Sequence, residues 1–276
     1  MAVDYSPRLR VVQGIRPSLR RSILAEAYKF VTVRSYVVCV GILIGAPAVI
    51  ALLVALALQT LQGVEGAPLA AITGASGHIL VVTTGIRASQ LVALVLVCVA
   101  IGSEFSSGLI TTTVSSSPSR TMVLSSIIGA QCALILIAAV CAAIAAYTAT
   151  AGLIVLPGSP PDIDLAQAFV TAFTSAVYLG TTAVIAGSIT TMVRHTAAAI
   201  AVTVALFLVV PGFLSAVPVP FFSRLAEYLP SSAGDRVLSF MVGADPNRLV
   251  LDCVLLLVLA ITLLALASQS FRRQDL

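Results

Sequence analysis

Tyr36-Val37-Val38-Cys39-Val40-Gly41-Ile42-Leu43-Ile44-Gly45-Ala46-Pro47-Ala48-Val49-Ile50-Ala51-Leu52-Leu53-Val54-Ala55-Leu56-Ala57-Leu58 runs without one charged side chain. About 20 apolar residues in a helix cross the hydrocarbon core of a bilayer, so this stretch is long enough to span it. Five further apolar runs lie near 80–102, 122–147, 167–192, 196–217 and 249–268, and only the first and last of these five carry a charge, Arg87 and Asp252. In lipid, only helices and closed barrels satisfy every backbone N–H and C=O. Barrel strands alternate polar and apolar residues in segments of about ten, whereas these runs are continuous Leu, Val, Ile and Ala. The expected fold is all-α: a polytopic integral membrane protein with about six transmembrane helices in one bundle. Residues 1–35 form a cytoplasmic tail and 36–276 the six-span membrane domain.

Composition agrees. Of 276 residues, 59% are hydrophobic and 9% charged, with a mean hydropathy of +1.10. Soluble domains carry about 25% charged residues, so this chain lacks the charge to cover a surface in water. A pI near 9.0 would suit nucleic acid, but the basic residues follow topology instead, and the expected surroundings are a lipid bilayer with no nucleic acid partner. Cys39, Cys98, Cys132, Cys141 and Cys253 all sit inside apolar runs with no CxxC pair. They read as small buried hydrophobes, neither a disulfide framework nor a metal site.

Orientation follows from Arg8, Arg10, Arg16, Arg20, Arg21, Lys29 and Arg34, all ahead of the first span. Such a basic flank predicts a cytoplasmic N-terminus. An even span count then places Arg120, Arg194, Arg272 and Arg273 inside as well. Segments 59–79 and 148–166, expected outside, contain no Lys or Arg. Segment 218–248, also expected outside, holds Arg224, Arg236 and Arg248 against Glu227, Asp235 and Asp245. The long tail and strongly apolar first span suggest a retained signal anchor rather than a cleaved signal peptide. Within 16–34, Pro17 can open a helix, and Leu19, Ile23, Ala27 and Phe30 line one face of it. That spacing predicts an amphipathic helix on the inner membrane surface, serving as a lipid anchor or as a docking surface for a cytoplasmic partner.

Catalytic signals are weak. Gly74-Ala75-Ser76-Gly77-His78 looks like a GxSG nucleophile motif, but a serine needs a histidine base within hydrogen-bond reach. His195, the other histidine, falls at the opposite membrane face, and a Gly/Ser turn explains the segment. Two histidines on opposite faces cannot share a metal ion. A Walker A loop needs a lysine after a glycine-rich run, and Lys29, the only lysine, follows Glu26-Ala27-Tyr28. The chain is therefore expected to be no enzyme and to hold no cofactor, any ATP and Mg²⁺ being bound by a partner. Gly41 and Gly45 form a GxxxG, read as a packing face within the bundle. Arg87 and Gln131 are candidates for lining a translocation path. For Arg87 the plainer reading is that it snorkels to the outer interface or that the span begins after it, because a charge at the bilayer centre costs about 2.5–3.5 kcal/mol on insertion scales. Asp252 raises the same question.

The segment from Gly102 to Arg120, GSEFSSGLITTTVSSSPSR, is expected as a cytoplasmic loop. Glu104 can open a short helix, where an acid favours the positive dipole end, and Ser117-Pro118 can cap and begin the third span. The plainer alternative is a solvated Ser/Thr linker. The stretch is similar to the pattern in permease subunits of type-2 ABC exporters, in which a Glu, then Gly and Thr, then Pro and Arg lead from the second span into the third. Glu104, Gly108, Thr111 or Thr112, Pro118 and Arg120 match it, with Leu109 standing where Thr is expected. Ala25-Glu26-Ala27-Tyr28-Lys29 resembles that family's interface helix, and Phe271-Arg272-Arg273-Gln274-Asp275 its basic ending. The family's re-entrant segment would map onto 218–248, where Phe221, Phe222, Leu225, Tyr228 and Leu229 give a short apolar face before Pro230.

The resemblance implies a membrane-spanning permease subunit of an ATP-driven exporter, in the cytoplasmic membrane of a prokaryote, moving an amphipathic or hydrophobic substrate. It implies a second permease chain and a separate cytoplasmic ABC ATPase subunit docking on Glu26, Lys29, Glu104, Gly108, Thr111, Pro118 and Arg120. The alternatives are a passive or ion-coupled transporter, which calls for paired intramembrane charges, and, more remotely, an intramembrane serine hydrolase.

Overall fold

The structure, a computed structural model, describes Tyr28 and residues 32–61, 75–108, 120–151, 165–217, 219–239 and 246–273. These residues form helices and no strand: α1 (Arg34–Leu61), α2 (Ala75–Ser106), α3 (Arg120–Ala151), α4 (Leu165–Val193), α5 (Thr196–Ala216), α6 (Pro220–Glu227), α7 (Pro230–Leu238) and α8 (Pro246–Arg273). Six of them, α1 to α5 and α8, are long and apolar enough to cross a membrane. The chain is thus an all-α, multi-pass membrane protein. The expected amphipathic helix within 16–34 lies almost wholly outside the described residues, as do Glu26, Lys29, Thr111 and Pro118.

Burial runs opposite to apolarity. The least apolar of the six, α4, is mostly buried, whereas the most apolar, α1 and α8, expose most of their surface. Lipid is as apolar as leucine, so close packing and hydrogen bonds, not hydrophobicity, select the central helix of such a bundle. Helix α4 touches α2, α3, α5, α7 and α8. Most of its hydroxyls are satisfied internally: Ser175, Thr182, Ser188, Thr190 and Thr191 each donate to the carbonyl four residues back, at 2.6–2.8 Å, while the buried Thr171 Oγ1 has no partner among the described residues. A polar-looking sequence can therefore sit dry at the centre.

Prolines inside two spans are compensated locally. Pro47 in α1 has no N–H for the Leu43 carbonyl, and Ser89 Oγ of α2 donates to that oxygen instead at 3.1 Å. In α5 the turn preceding Pro211 opens into a π segment, Ala205–Val209, a common adjustment where a ladder bond is missing. Helix α2 lies tight against Pro47: a Cβ at Gly85 would stand 2.4 Å from the Pro47 carbonyl oxygen, with backbone atoms on both sides of the contact. Gly41 and Gly45, by contrast, have no atom within 4 Å of a built Cβ. Among the described residues nothing packs on the GxxxG, and at the α1–α2 contact Gly85 supplies the close approach. We expect Gly85→Val to part α1 from α2 and to destabilise by about 1–3 kcal/mol or more, as overpacking does. A melting temperature in detergent equal to that of the native chain would contradict that packing.

The α4–α5 connection takes two residues. Arg194 adopts a left-handed backbone (φ 57°), and its N–H bonds the Thr190 carbonyl at 2.8 Å. His195 then caps α5, its Nδ1 accepting from the Ala198 N–H at 3.4 Å. Among the cysteines, Cys98 is buried, Cys141 is exposed on α3 and the others are half-buried, so the uniform reading as buried hydrophobes holds for Cys98 alone.

The basic residues ahead of the first span set an expected topology that can be read by chemistry. In a cysteine-free background, Glu65→Cys and Asp162→Cys should react with an impermeant thiol reagent on intact cells and Ser115→Cys should not; the reverse pattern would invert the orientation.

Candidate functional site: two ion pairs on a short inserted helix

Between α5 and α8 the chain makes two short helices. Pro220 opens α6 and Pro230 opens α7, each at a position where the missing N–H is no loss. Helix α6 exposes Phe221, Phe222 and Leu225, an apolar aromatic face suited to the membrane interface. Helix α7 is different: Pro230, Ser231, Ala233, Gly234, Val237 and Leu238 are buried, and it packs on α8, α4, α5 and α6. Gly234 permits this. A Cβ there would lie 1.9 Å from Cε2 of the Tyr178 ring on α4. The Tyr178 hydroxyl in turn donates to Gln90 Oε1 of α2 at 2.5 Å.

The two charges that follow Gly234 reach in different directions. Asp235 Oδ1 meets Arg87 Nε of α2 at 2.8 Å. Arg236 holds Asp252 of α8 with both arms, Nε to Oδ2 at 2.8 Å and Nη2 to Oδ1 at 2.7 Å, while Nη2 also donates to the Glu227 carbonyl at 2.7 Å. Arg87 lies within the span His78–Ser106, roughly 14 Å along the axis from its start at 1.5 Å per residue. The apolar helix therefore begins ahead of Arg87 rather than after it. An acid delivered by α7 neutralises it where it stands, which is how intramembrane charges are tolerated. Partial burial pushes the Asp235 carboxyl above its usual range, and Arg87 and Arg236 pull it partly back. The hydrogen bond to Asp252, opposed by partial burial and helped by nearby acids, raises Arg236, which therefore stays cationic.

Gln131, the other path candidate, is buried in α3 with its Oε1 unpartnered. Gln90 Nε2 and Ser231 Oγ are likewise buried without partners, close in sequence to Arg87 and Asp235 respectively. His78 bonds Thr150 Oγ1 at 2.7 Å and stacks at a tilt on Tyr147, so it is engaged between α2 and α3. Among the described residues no three His, Cys, Asp or Glu converge as a metal site.

At the opposite end of the bundle, the expected loop begins later than its composition suggests. Gly102, Ser103 and Glu104 continue α2, which runs to Ser106. Glu104 thus closes a helix rather than opening one, at the end whose dipole disfavours an acid. Gly108 is the residue that stops it: φ is 69°, and its N–H bonds the Phe105 carbonyl at 3.3 Å, the left-handed cap for which glycine is suited. Arg120 begins α3. Around Glu104 the end is knit together by Phe105, which stacks edge-on against Phe271 at 6.4 Å and carries the Arg194 guanidinium 5.7 Å above its ring.

Asp235, Arg236, Tyr178 and Gln90 were not singled out by motif. The available signal was the even balance of acids and arginines in 218–248, of which Asp235 and Arg236 pair outside the segment, with Arg87 and Asp252. No family model matches the chain, and no curated protein is detectably similar to it in sequence.

Proposed function

We propose that the chain is the permease subunit of an ATP-driven exporter of amphipathic or hydrophobic substrates, with hydrolysis carried out by a separate ATPase subunit and a second permease chain completing the pathway. Both termini would lie on the cytoplasmic side. The observation that supports this reading best is the end of α2. Glu104, capped off by Gly108, leads directly from a mostly buried helix into the 109–119 segment, and its neighbour Phe105 touches both Phe271 of α8 and Arg194 of the α4–α5 turn. A push on that segment would reach three spans at once. The matching residues Glu104, Gly108, Thr111, Pro118 and Arg120 add the resemblance to the geometry.

The test is substitution at the coupling segment. Glu104→Ala removes a charge-assisted contact worth about 1.5–3 kcal/mol if a partner's basic groove receives it, and Arg120→Glu reverses a charge. Both variants are expected to insert normally and to lose stimulated ATPase activity. If both keep transport and ATPase at native levels, the segment is a linker and the coupling role fails.

An ion-coupled transporter is the second reading, and the two intramembrane ion pairs of α7 are what favour it. In that case substrate uptake by proteoliposomes would follow a proton or sodium gradient without nucleotide, whereas an exporter subunit would require ATP.

A further inference from the structure

Helices α3 and α4 leave a groove of about 430 Å³ between them at one end of the bundle. Ala168, Ala172 and Ala176, one turn apart on α4, are too small to fill it, while Phe169 and Phe173 stand beside them 72% and 60% exposed. Val140 and Ile144 of α3 form the other wall. The groove opens at the ends of two spans: Thr148 and Leu165 line it, and the apolar spans finish at Thr150 and start at Leu165. From Leu165 to Ala176 it runs roughly 16 Å at 1.5 Å per residue, about half of a hydrocarbon core of roughly 30 Å, which is the depth of one leaflet. It gives a guest no polar grip. Among the described residues that line it none is charged, and only Tyr147 and Thr148 carry a hydroxyl. Thr148 Oγ1 lies on the carbonyls of Ile144 and Ala145, at 2.9 and 3.2 Å, and Tyr147 is 3% exposed with its ring stacked on His78.

We infer that this groove seats one acyl chain of a membrane phospholipid, in the leaflet on the side where α3 ends and α4 begins. Water does not suit it, because a hollow holds water only where polar groups can bond it. A helix from a second chain does not fit either. Spread over its length, the volume leaves a cross-section of roughly 27 Å², a slot about 5 Å wide, whereas a helix with its side chains is about 10–12 Å across. A single extended hydrocarbon chain, whose carbons pack about 3.5–4.0 Å from their neighbours, matches that width. Lipid is as apolar as the groove, so what retains the chain is close contact along its length with two walls and an alanine floor. The seat requires neither an ATPase nor a transported substrate, so it can fail while the exporter reading stands, and the reverse.

The chain contains no tryptophan, so Phe173→Trp places a single fluorescent reporter in the groove wall. Phe213→Trp, on the exposed surface of α5, is the control. Each full-length variant is purified in alkyl maltoside micelles and titrated with phosphatidylcholine brominated on its acyl chains, which quenches tryptophan on contact. Phe173→Trp should be half-quenched at a lipid fraction at least about fivefold below that needed for Phe213→Trp, the preference that some ten extra carbon contacts supply. Adding Ala168→Leu and Ala172→Leu fills the floor and should bring the two curves together. Should that double change fail to give a monodisperse protein, Ala168→Phe, at a half-buried position, blocks the groove and should do the same. A Phe173→Trp curve that follows the control in the unfilled chain, or one that filling leaves unchanged, would overturn the seat. So would quenching that appears only when the protein is diluted, which would give the groove to a second copy of the chain.

Discussion

Asp252→Ala is expected to destabilise the chain by about 3 kcal/mol, among the largest effects of any single substitution here. The carboxylate is almost wholly buried and accepts both arms of Arg236. Removing one partner of a buried pair typically costs about 3–5 kcal/mol, because the other charge stays behind uncompensated. The lower figure applies, since the Arg236 side chain is 32% exposed and keeps the Glu227 carbonyl. The loss should appear as a fall in the melting temperature followed by reactivity of buried Cys98. Replacing the whole pair, Arg236→Met with Asp252→Leu, should recover most of it, as apolar substitution of a buried pair often does. A single variant that melts with the native protein would show that the pair holds nothing in place.

Gly234→Ala should be nearly as damaging for a different reason. The added methyl would lie 1.9 Å from Cε2 and 2.2 Å from Cδ2 of Tyr178, far inside contact distance. The ring is 1% exposed and tethered through its hydroxyl to Gln90, so it cannot swing aside freely. Either α7 lifts from α4 or the Tyr178–Gln90 bond breaks. Overpacking costs about 1–3 kcal/mol and a lost buried hydrogen bond about 1 kcal/mol more, giving roughly 2–4 kcal/mol. Tyr178→Leu alone removes the ring and should relieve the clash when combined with Gly234→Ala, so the two changes together should cost less than the sum of the separate ones. Additive losses would mean that the two residues do not meet.

How much of this was legible in the sequence depends on the reach of each interaction. The six spans could be read because each is written in consecutive apolar residues, and continuity along the chain is all that a helix requires in lipid. The bounds of α2 could not: a single acid at Glu104 looked like a start signal, yet ladder bonds carry the helix on to Ser106, and the left-handed glycine at 108 ends it. Arg87 read as a lone charge because its partner, Asp235, arrives from a segment much later in the chain. Shorter separations, 16 and 46 residues, hid Arg236–Asp252 and the Ser89 hydroxyl that serves the proline-freed carbonyl of Leu43. GxxxG pointed to a packing face at Gly41 and Gly45, but the glycine at the α1–α2 contact is Gly85, which belongs to no motif. Local chemistry is written locally; the neutralisation of charges between spans is not.

The most direct measurement is to purify the full chain from its native membrane in mild detergent and assay the particle for ATP hydrolysis, alongside the chain purified alone. The result expected is a co-purifying ATPase polypeptide whose activity rises when this chain is present, falls with Glu104→Ala, and is absent from the isolated chain. The contradictory result is a chain that leaves its native membrane without any ATPase and moves substrate in proteoliposomes on an ion gradient alone.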